Sequence, residues 1–541
     1  MLNFTFLDSF IIILYLIVVL SLGLYYAGKR DKNVDDYFLG GKNLGWIAIG
    51  LSIFATNISS EHFIGLAGSG AFHGLVVGQF ELMAIFILVI LGWFLAPIYI
   101  KSGVITTPEF LEKRFDRRTR KFFASLSIII YILTKITVTL FAGGILFERI
   151  FGINIYASTM VIVLITGIYT VLGGATSVIK TNVFQAVILI LGAITLTIFG
   201  LHSVGGFAGL EEKLPAHYFT MFKSISDHDF PWTGIIFGAP IIAFWYWATD
   251  QYFVQKILGA KSIDAARKGS LLAAMLKVLP IFMLVLPGLI AIVLFPEIKG
   301  DEAYPVLLAG NLLPSGVKGF VLAGLLAAIM SSLSAVFNTT ASLMTNDFYK
   351  PRNPNSSDRE LVLIGRLSTV LIVVTAILCI PLVKLISNQV YLFLQEMQSF
   401  VSPPIAAVFA FAFLMKKATA SGAMWTFIIG EILGVSRLIL GILVRAGIAT
   451  DPVSIYITDI SFLHFAIFLF IVSSATMLLV SYFSRENKDV KVRSIQYLAP
   501  DCFNDIKIDF SNWSTIRGYK TNIIMSVFIF AVIISLWSIW H

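Results

Sequence analysis

The sequence predicts an all-α protein that crosses a membrane many times, and three observations carry that reading. Of its 541 residues, 57% are hydrophobic and 13% charged, with a mean hydropathy of +0.88, a balance typical of polytopic membrane proteins rather than of a domain with one core. About fourteen apolar runs follow one another along the chain, each close to the ~20 residues that cross a hydrocarbon layer of about 30 Å. Lys and Arg crowd into alternate connections between those runs, as the positive-inside rule requires.

The runs lie near 9–27, 46–70, 75–98, 122–150, 155–172, 183–203, 233–256, 270–296, 318–347, 360–382, 391–415, 420–443, 461–483 and 521–540. Lys29, Arg30 and Lys32 follow the first without a small-residue cleavage site, so it reads as a retained helix rather than a signal peptide. Basic residues gather at 101–121, 256–268, 350–366 and 485–520, whereas 204–230 and 297–317 hold few. This places both termini outside, in a multi-pass plasma or inner membrane protein. The lipid bilayer is thus the partner the charge pattern addresses, and the net charge of +8 needs no nucleic acid. Cys379 falls in a run and Cys502 in a loop, which implies no disulfide framework. Three connections are long: Thr106 to Phe122, whose Thr-Pro start predicts an interfacial helix, and 204–230 and 484–520, for which no fold is predicted.

The second run holds "SIFATNISSEHFIGLAGSGAFHG", with Asn57, Ser59, Ser60, Glu61 and His62 amid apolar residues and Gly65, Gly68 and Gly70 just after. That combination predicts an interrupted helix. Five runs later, Thr249, Asp250 and Gln251 interrupt "IIAFWYWATDQYFVQ". Two broken segments at corresponding places point to an inverted-repeat transporter, whose half-helix ends leave backbone groups free at mid-membrane.

Intramembrane ionisable groups are functional hypotheses by default. Glu81 and Lys277 lie far from any loop. They either neutralise each other as a structural pair or face a polar cavity, where a hydroxyl would donate to the carboxylate and accept from the ammonium. Gln395, Asn57 and His62 add donors and acceptors, while Phe80, Tyr246 and Trp247 offer aromatic faces for the apolar side of a sugar ring. Ser331 and Ser332, with Ser334, supply uncharged oxygens that either pack helices or help to hold a dehydrated sodium ion. The seven His residues show no metal-ligand spacing, and no phosphate loop or nucleophile elbow is present. An enzyme is not expected.

The motifs "DDYFLGGKNLGW", "FATNISSEHFIGLAGSG", "TTPEFLEKRF", "YTVLGGATSVI", "FWYWATDQ", "MSSLSAVFNTTASLMTNDFY" and "SPPIAAVFAF" together resemble the sodium/glucose cotransporter branch of the solute:sodium symporter family, from about residue 9 to 483. The resemblance implies a LeuT-like inverted-repeat fold with about fourteen transmembrane helices. Residues 1–45 would form an extra helix and loop, 46–415 a ten-helix transport core, and 416–541 three further helices with the 484–520 loop. Carried over residue by residue, it implies sugar binding at Asn57, His62, Glu81, Tyr246, Trp247, Lys277 and Gln395. It implies gates at Phe80 and Tyr246, and sodium held by the carbonyls of Ala55, Ile58 and Ala328 and the hydroxyls of Ser331 and Ser332. Where relatives carrying a second sodium have an aspartate, this chain has Asn182 after Thr181, which implies one sodium per sugar. Ala243 stands where relatives often present a polar group, which leaves the preferred epimer open. The implied function is sodium-coupled import of a monosaccharide, a single chain sufficing. The alternatives are symport of myo-inositol, sialic acid or an amino acid, or a sodium-dependent sugar sensor or channel.

Overall fold

The computed structural model describes residues 5–27, 33–152, 154–310, 312–379, 390–484 and 513–540. Eleven helices among the described residues are long and apolar enough to cross a membrane. Two of them each extend across the boundary between two expected runs. His62–Lys101 turns at Gly74, which has φ 78° and ψ −155°. Ile155–Val204 has 50 residues, which at about 1.5 Å each would make a rod more than twice the bilayer core. It breaks at Gly174, where φ is +50° and a Cβ would stand 2.5 Å from Tyr37 O. Only glycine meets both demands.

The two expected interruptions are present. Trp46–Asn57 ends at Ile58, whose ψ of 115° is extended, and the chain is helical again from Ser60. Phe244–Thr249 is a wide turn that stops at Asp250 (ψ 125°), and Gln251–Leu258 then begins with Asp250 as its cap, Oδ1 accepting from Tyr252 N at 3.0 Å. The sequence reading gave Gly65, Gly68 and Gly70 a part in the first break, and that is corrected here. All three lie in helix beyond the break and serve close packing. A Cβ on them would stand 2.6 Å from Tyr391 N, 2.7 Å from Asp301 Oδ1 and 2.8 Å from Val285 O.

Trp46–Asn57 packs on Ile263–Leu276, and Ile155–Val204 packs on Val317–Leu343. Gly50 and Gly269 allow the first contact, since a Cβ on either would run into Leu272 or Ile49 at 2.7 and 2.6 Å. Small residues at such crossings are how membrane helices gain packing without a hydrophobic drive between them. Val390–Leu414 packs on Ala420–Arg445 and Phe462–Phe483.

Three loop expectations change. Thr106 to Phe122 is two helices, not one. Thr106 caps Thr107–Arg114, Phe115 leaves helical geometry, and Asp116 caps Arg117–Ile130 by accepting from Thr119 N at 2.8 Å. The connection 204–230 contains the helix Gly206–Lys213 and a turn at Ala216–Tyr218. The last helix starts at Trp513, inside the expected 484–520 loop. The rest of that loop after Ser484 lies outside the described residues, as do Lys29, Arg30, Lys32, Cys502 and the end of the 360–382 run.

Candidate functional site

Every expected solute-binding side chain lines one cavity, with Asn57, His62, Phe80, Glu81, Tyr246, Trp247, Lys277 and Gln395 all on its wall. Asn57 is the last helical residue before the first break, and His62 lies in the first turn after it, which opens at Ser60. Tyr246 and Trp247 sit in the wide turn before the second break. Glu81 comes from the start of Gln79–Ile90, and Lys277 from the end of Ile263–Leu276.

Glu81 and Lys277 pair directly, and they are only 3% and 1% exposed. Lys277 Nζ also donates to Asn57 Oδ1 at 2.7 Å, and Asn57 Nδ2 donates to Tyr246 OH at 3.3 Å. On the other side of Glu81, Tyr391 OH donates to Oε1 at 3.4 Å and itself accepts from Gln395 Nε2 at 2.9 Å. His62 Nε2 stands 3.9 Å from the same carboxylate. The result is one run of alternating donors and acceptors, Gln395–Tyr391–Glu81–Lys277–Asn57–Tyr246. Free space within it is about 50 Å³, on a measure in which one water takes about 10–15 Å³. A ring polyol therefore enters only as these side chains part.

Aromatic rings close both sides. Phe80 stacks on Phe462 at 6.3 Å between centroids and meets Phe230 and Tyr391 edge-on. Tyr246 packs against Trp247 and Phe253. Ala243 lines the cavity as well, and its methyl group offers no hydrogen bond.

A second group of polar atoms lies at the first break. Ser331 Oγ donates to Ala55 O (2.7 Å) or Ala328 O (3.0 Å). Ser332 Oγ donates to Thr56 O (2.9 Å) or Ile58 O (3.4 Å). All five positions expected around sodium thus converge, joined by Thr56 O. Tyr252 OH reaches Thr56 O and Ser332 O at 3.0 and 3.1 Å. The set offers only neutral oxygens, which suits a hard monovalent cation. Beside it, Asn182 Nδ2 donates to Thr56 Oγ1 at 3.0 Å, and Ser334 Oγ stands 3.5 Å from Asn182 Oδ1.

Sequence reasoning missed Tyr391 and Gln398. Both lie on the cavity wall with Gln395, and their signal was spacing, since residues three and four apart share a helix face. It also missed Lys135, which lies inside an apolar run as Glu81 and Lys277 do. Glu61, left without a role, is held by Ser59 Oγ and by Thr139 Oγ1 at 3.3 Å.

Two broken helices meeting at a polar cavity inside an all-helical membrane bundle define a secondary transporter. The chain matches the sodium:solute symporter family over residues 37–430. It is 36% identical over 528 residues to sodium/glucose cotransporter 1 of Ovis aries, covering 89% of this chain and 79% of that one. It is also 36% identical over 539 residues to the sodium/myo-inositol cotransporter of Homo sapiens, covering 91% and 75%. Among solved structures, the substrate-bound outward-open state of a Na+-coupled sialic acid symporter superposes with a TM-score of 0.76 at 23% identity, over 89% of this chain and 99% of that one. The chain belongs to the sodium:solute symporter family. It is a sodium-coupled symporter with the LeuT-like fold, a multi-pass membrane transporter and not an enzyme.

Proposed function

We propose that this symporter imports a cyclic polyol, a monosaccharide of the glucose or galactose type or an inositol, together with one sodium ion. The observation that carries the substrate class is the alternating run from Gln395 to Tyr246. Hydroxyl groups, each donor and acceptor at once, substitute for its internal hydrogen bonds one by one, and Tyr246, Trp247 and Phe80 cover the apolar ring faces. Among the described residues no arginine lines the cavity, and Lys277 is already matched by Glu81. A carboxylate-bearing solute such as sialic acid or an amino acid is therefore disfavoured. Myo-inositol is kept beside glucose because relatives named for each stand at 36% identity.

In this reading residues 46–415 form the transport core, both termini lie outside, and one chain suffices for transport. Sodium binds the Ala55, Ile58 and Ala328 carbonyls and the Ser331 and Ser332 hydroxyls, which orders the first break and so the position of Asn57 and His62. Solute then raises sodium affinity by the same factor that sodium raises solute affinity. Phe80 covers the outward side and Tyr246 the inward side, and rocking of the broken helices exchanges which one opens. Each sodium moving inward through 100 mV contributes about 2.3 kcal/mol besides its concentration gradient. Asn182 presents an amide where a second sodium would need a fixed negative charge, which supports a single ion.

The test is uptake of labelled glucose, galactose and myo-inositol into proteoliposomes with and without an inward sodium gradient. Sodium-driven accumulation of at least one is expected. Accumulation only of a carboxylate solute would refute the assignment of class, and solute-gated current without uptake would mark a sensor or channel.

A further inference from the structure

The buried lysine that the sequence reading passed over occupies the space between the two sites. Lys135 lies in the wide turn Tyr131–Ile136 and is 9% exposed. Its Nζ stands 4.0 Å from the ring centroid of Tyr246 and 4.0 Å from that of Tyr252, with Phe253 and Tyr131 at 5.4 and 5.9 Å. Tyr246 is part of the solute cavity wall and receives Asn57 Nδ2. Tyr252 reaches the two backbone carbonyls that flank the sodium set. One ammonium therefore sits against a ring of each site, and cation–π contact is strongest where water is excluded.

The remaining charges around it fix its position. Asp250, inside the second break, holds Lys135 at 3.4 Å through Oδ2 and takes the Tyr131 hydroxyl on Oδ1. Glu61, beyond the first break, is the next carboxylate in its field. Lys256 lies 5.3 Å from the Tyr252 ring, but its Nζ donates to Tyr252 O at 2.7 Å, within its own helix. Of the two lysines, Lys135 alone is recorded against both the Tyr246 and the Tyr252 rings.

We propose that Lys135 is the positioning residue that transmits sodium occupancy to the inward floor of the solute pocket. Thr56 O accepts from Ser332 Oγ at 2.9 Å and from Tyr252 OH at 3.0 Å, and the single Tyr252 hydroxyl proton is shared with Ser332 O at 3.1 Å. When sodium draws Ser332 and the first-break carbonyls together, Thr56 O and Ser332 O are held in place, and the Tyr252 hydroxyl that bonds both, with its ring, is fixed. Lys135, held by Asp250, then fixes Tyr246 under the solute. Without sodium Thr56 O and Ser332 O are no longer held together, the Tyr252 ring gains freedom, and Tyr246 loses its support. The inference rests on the sodium-coupled reading above and adds the residue through which coupling passes.

The experiment measures solute dissociation constants, with and without saturating sodium, on the purified full chain. In wild type their ratio is expected within the roughly 5–150-fold range usual for coupled sites. In Lys135→Met combined with Asp250→Asn, which removes both charges of the ion pair and leaves the net charge unchanged, the ratio is expected to fall to about one. Sodium-free affinity should change by less than about threefold, since Lys135 is not on the cavity wall. Lys135→Arg, which keeps charge and ring contact, should retain most of the ratio. Tyr252→Phe, which keeps the ring but not its hydroxyl, should lose it. A double variant that keeps the wild-type ratio overturns the role of Lys135 and leaves the symport reading standing. If the double variant does not fold, the Tyr252→Phe result decides in the same way. A wild-type ratio of one overturns both.

Discussion

Asn182→Asp is the substitution that most directly interrogates ion number. Asn182 is fully buried, with Thr56 Oγ1 3.0 Å and Ser52 Oγ 3.5 Å from its Nδ2 and Ser334 Oγ 3.5 Å from its Oδ1. The change is isosteric, but it replaces a donor by a charge. An uncompensated carboxylate there would be unfavourable by several kcal/mol, and three hydroxyl oxygens around it complete a site for sodium. The variant is therefore predicted to bind a second sodium and carry two charges per solute where wild type carries one. At 100 mV and a tenfold sodium gradient, one sodium supplies about 2.3 plus 1.4 kcal/mol, an accumulation limit of roughly 500-fold. Two sodium ions square that limit, to roughly 3 × 10⁵. The assay is the ratio of transported charge to labelled solute in the same cells, or the reversal potential in proteoliposomes. A wild-type ratio of two refutes the argument from Asn182. A folded Asn182→Asp variant that stays at one shows that the hydroxyls do not make a site.

Three further predictions follow from single contacts. Ser332→Ala removes the hydroxyl shared between Thr56 O and Ile58 O, and the sodium concentration for half-maximal uptake should rise at least about tenfold, one hydrogen bond's worth; an unchanged sodium dependence would rule Ser332 out of the ion site. Lys277→Met strands the buried Glu81 carboxylate at about 3–5 kcal/mol, so a melt in detergent should fall sharply. Glu81→Gln added to Lys277→Met should recover the melt but not solute binding, whereas recovered binding would make the pair merely structural. Asp301, whose carboxyl burial pushes up to about 7 from the usual 3.8, docks beside Gly68 and accepts from Val390 N at 2.8 Å. Because the docked form binds the proton more tightly than the undocked one, docking is strongest in acid. It weakens as pH rises from about 4 through about 7, with no further change above. Hydrogen exchange of the 300–309 segment should follow that profile, and Asp301→Asn should abolish it; a flat wild-type profile refutes the assignment.

The transporter class was legible because lipid makes polar residues conspicuous. Asn57 to His62 and Thr249 to Gln251 interrupt runs that would otherwise be uniformly apolar, and the backbone is extended at Ile58 and Asp250 just as those interruptions require. Glu81 and Lys277 stood out for the same reason and proved to be partners. The glycines after His62 misled because one residue type serves both breaks and close packing, and only the neighbouring helices decide which. The joint at Gly174 falls between the expected runs 155–172 and 183–203, so the break was legible, while the residue that makes it was not, since a single positive φ leaves hydropathy unchanged. Tyr391 was lost among eighteen tyrosines. Lys135 followed the very rule that selected Lys277, and its significance emerged only when Tyr246 and Tyr252 were found on either side of it.

Both sites share a property that bears on the half of the cycle in which nothing is carried. An importer that has released its cargo must return empty, and any buried polar group left unsatisfied would raise the barrier to that return. The proposed ion site escapes this because it contains hydroxyls and carbonyls. Ser331 and Ser332 donate to Ala55 O and Thr56 O, within the group of atoms proposed to surround sodium. The proposed solute site escapes it through Glu81 and Lys277, which pair directly with each other. A fixed carboxylate in the ion site would bind sodium more tightly but would have no such partner once the ion left. It would slow the empty return in proportion. On this argument the neutral oxygens around the first break set the sodium affinity low enough for release inside, and the same neutrality keeps the unloaded protein able to turn over.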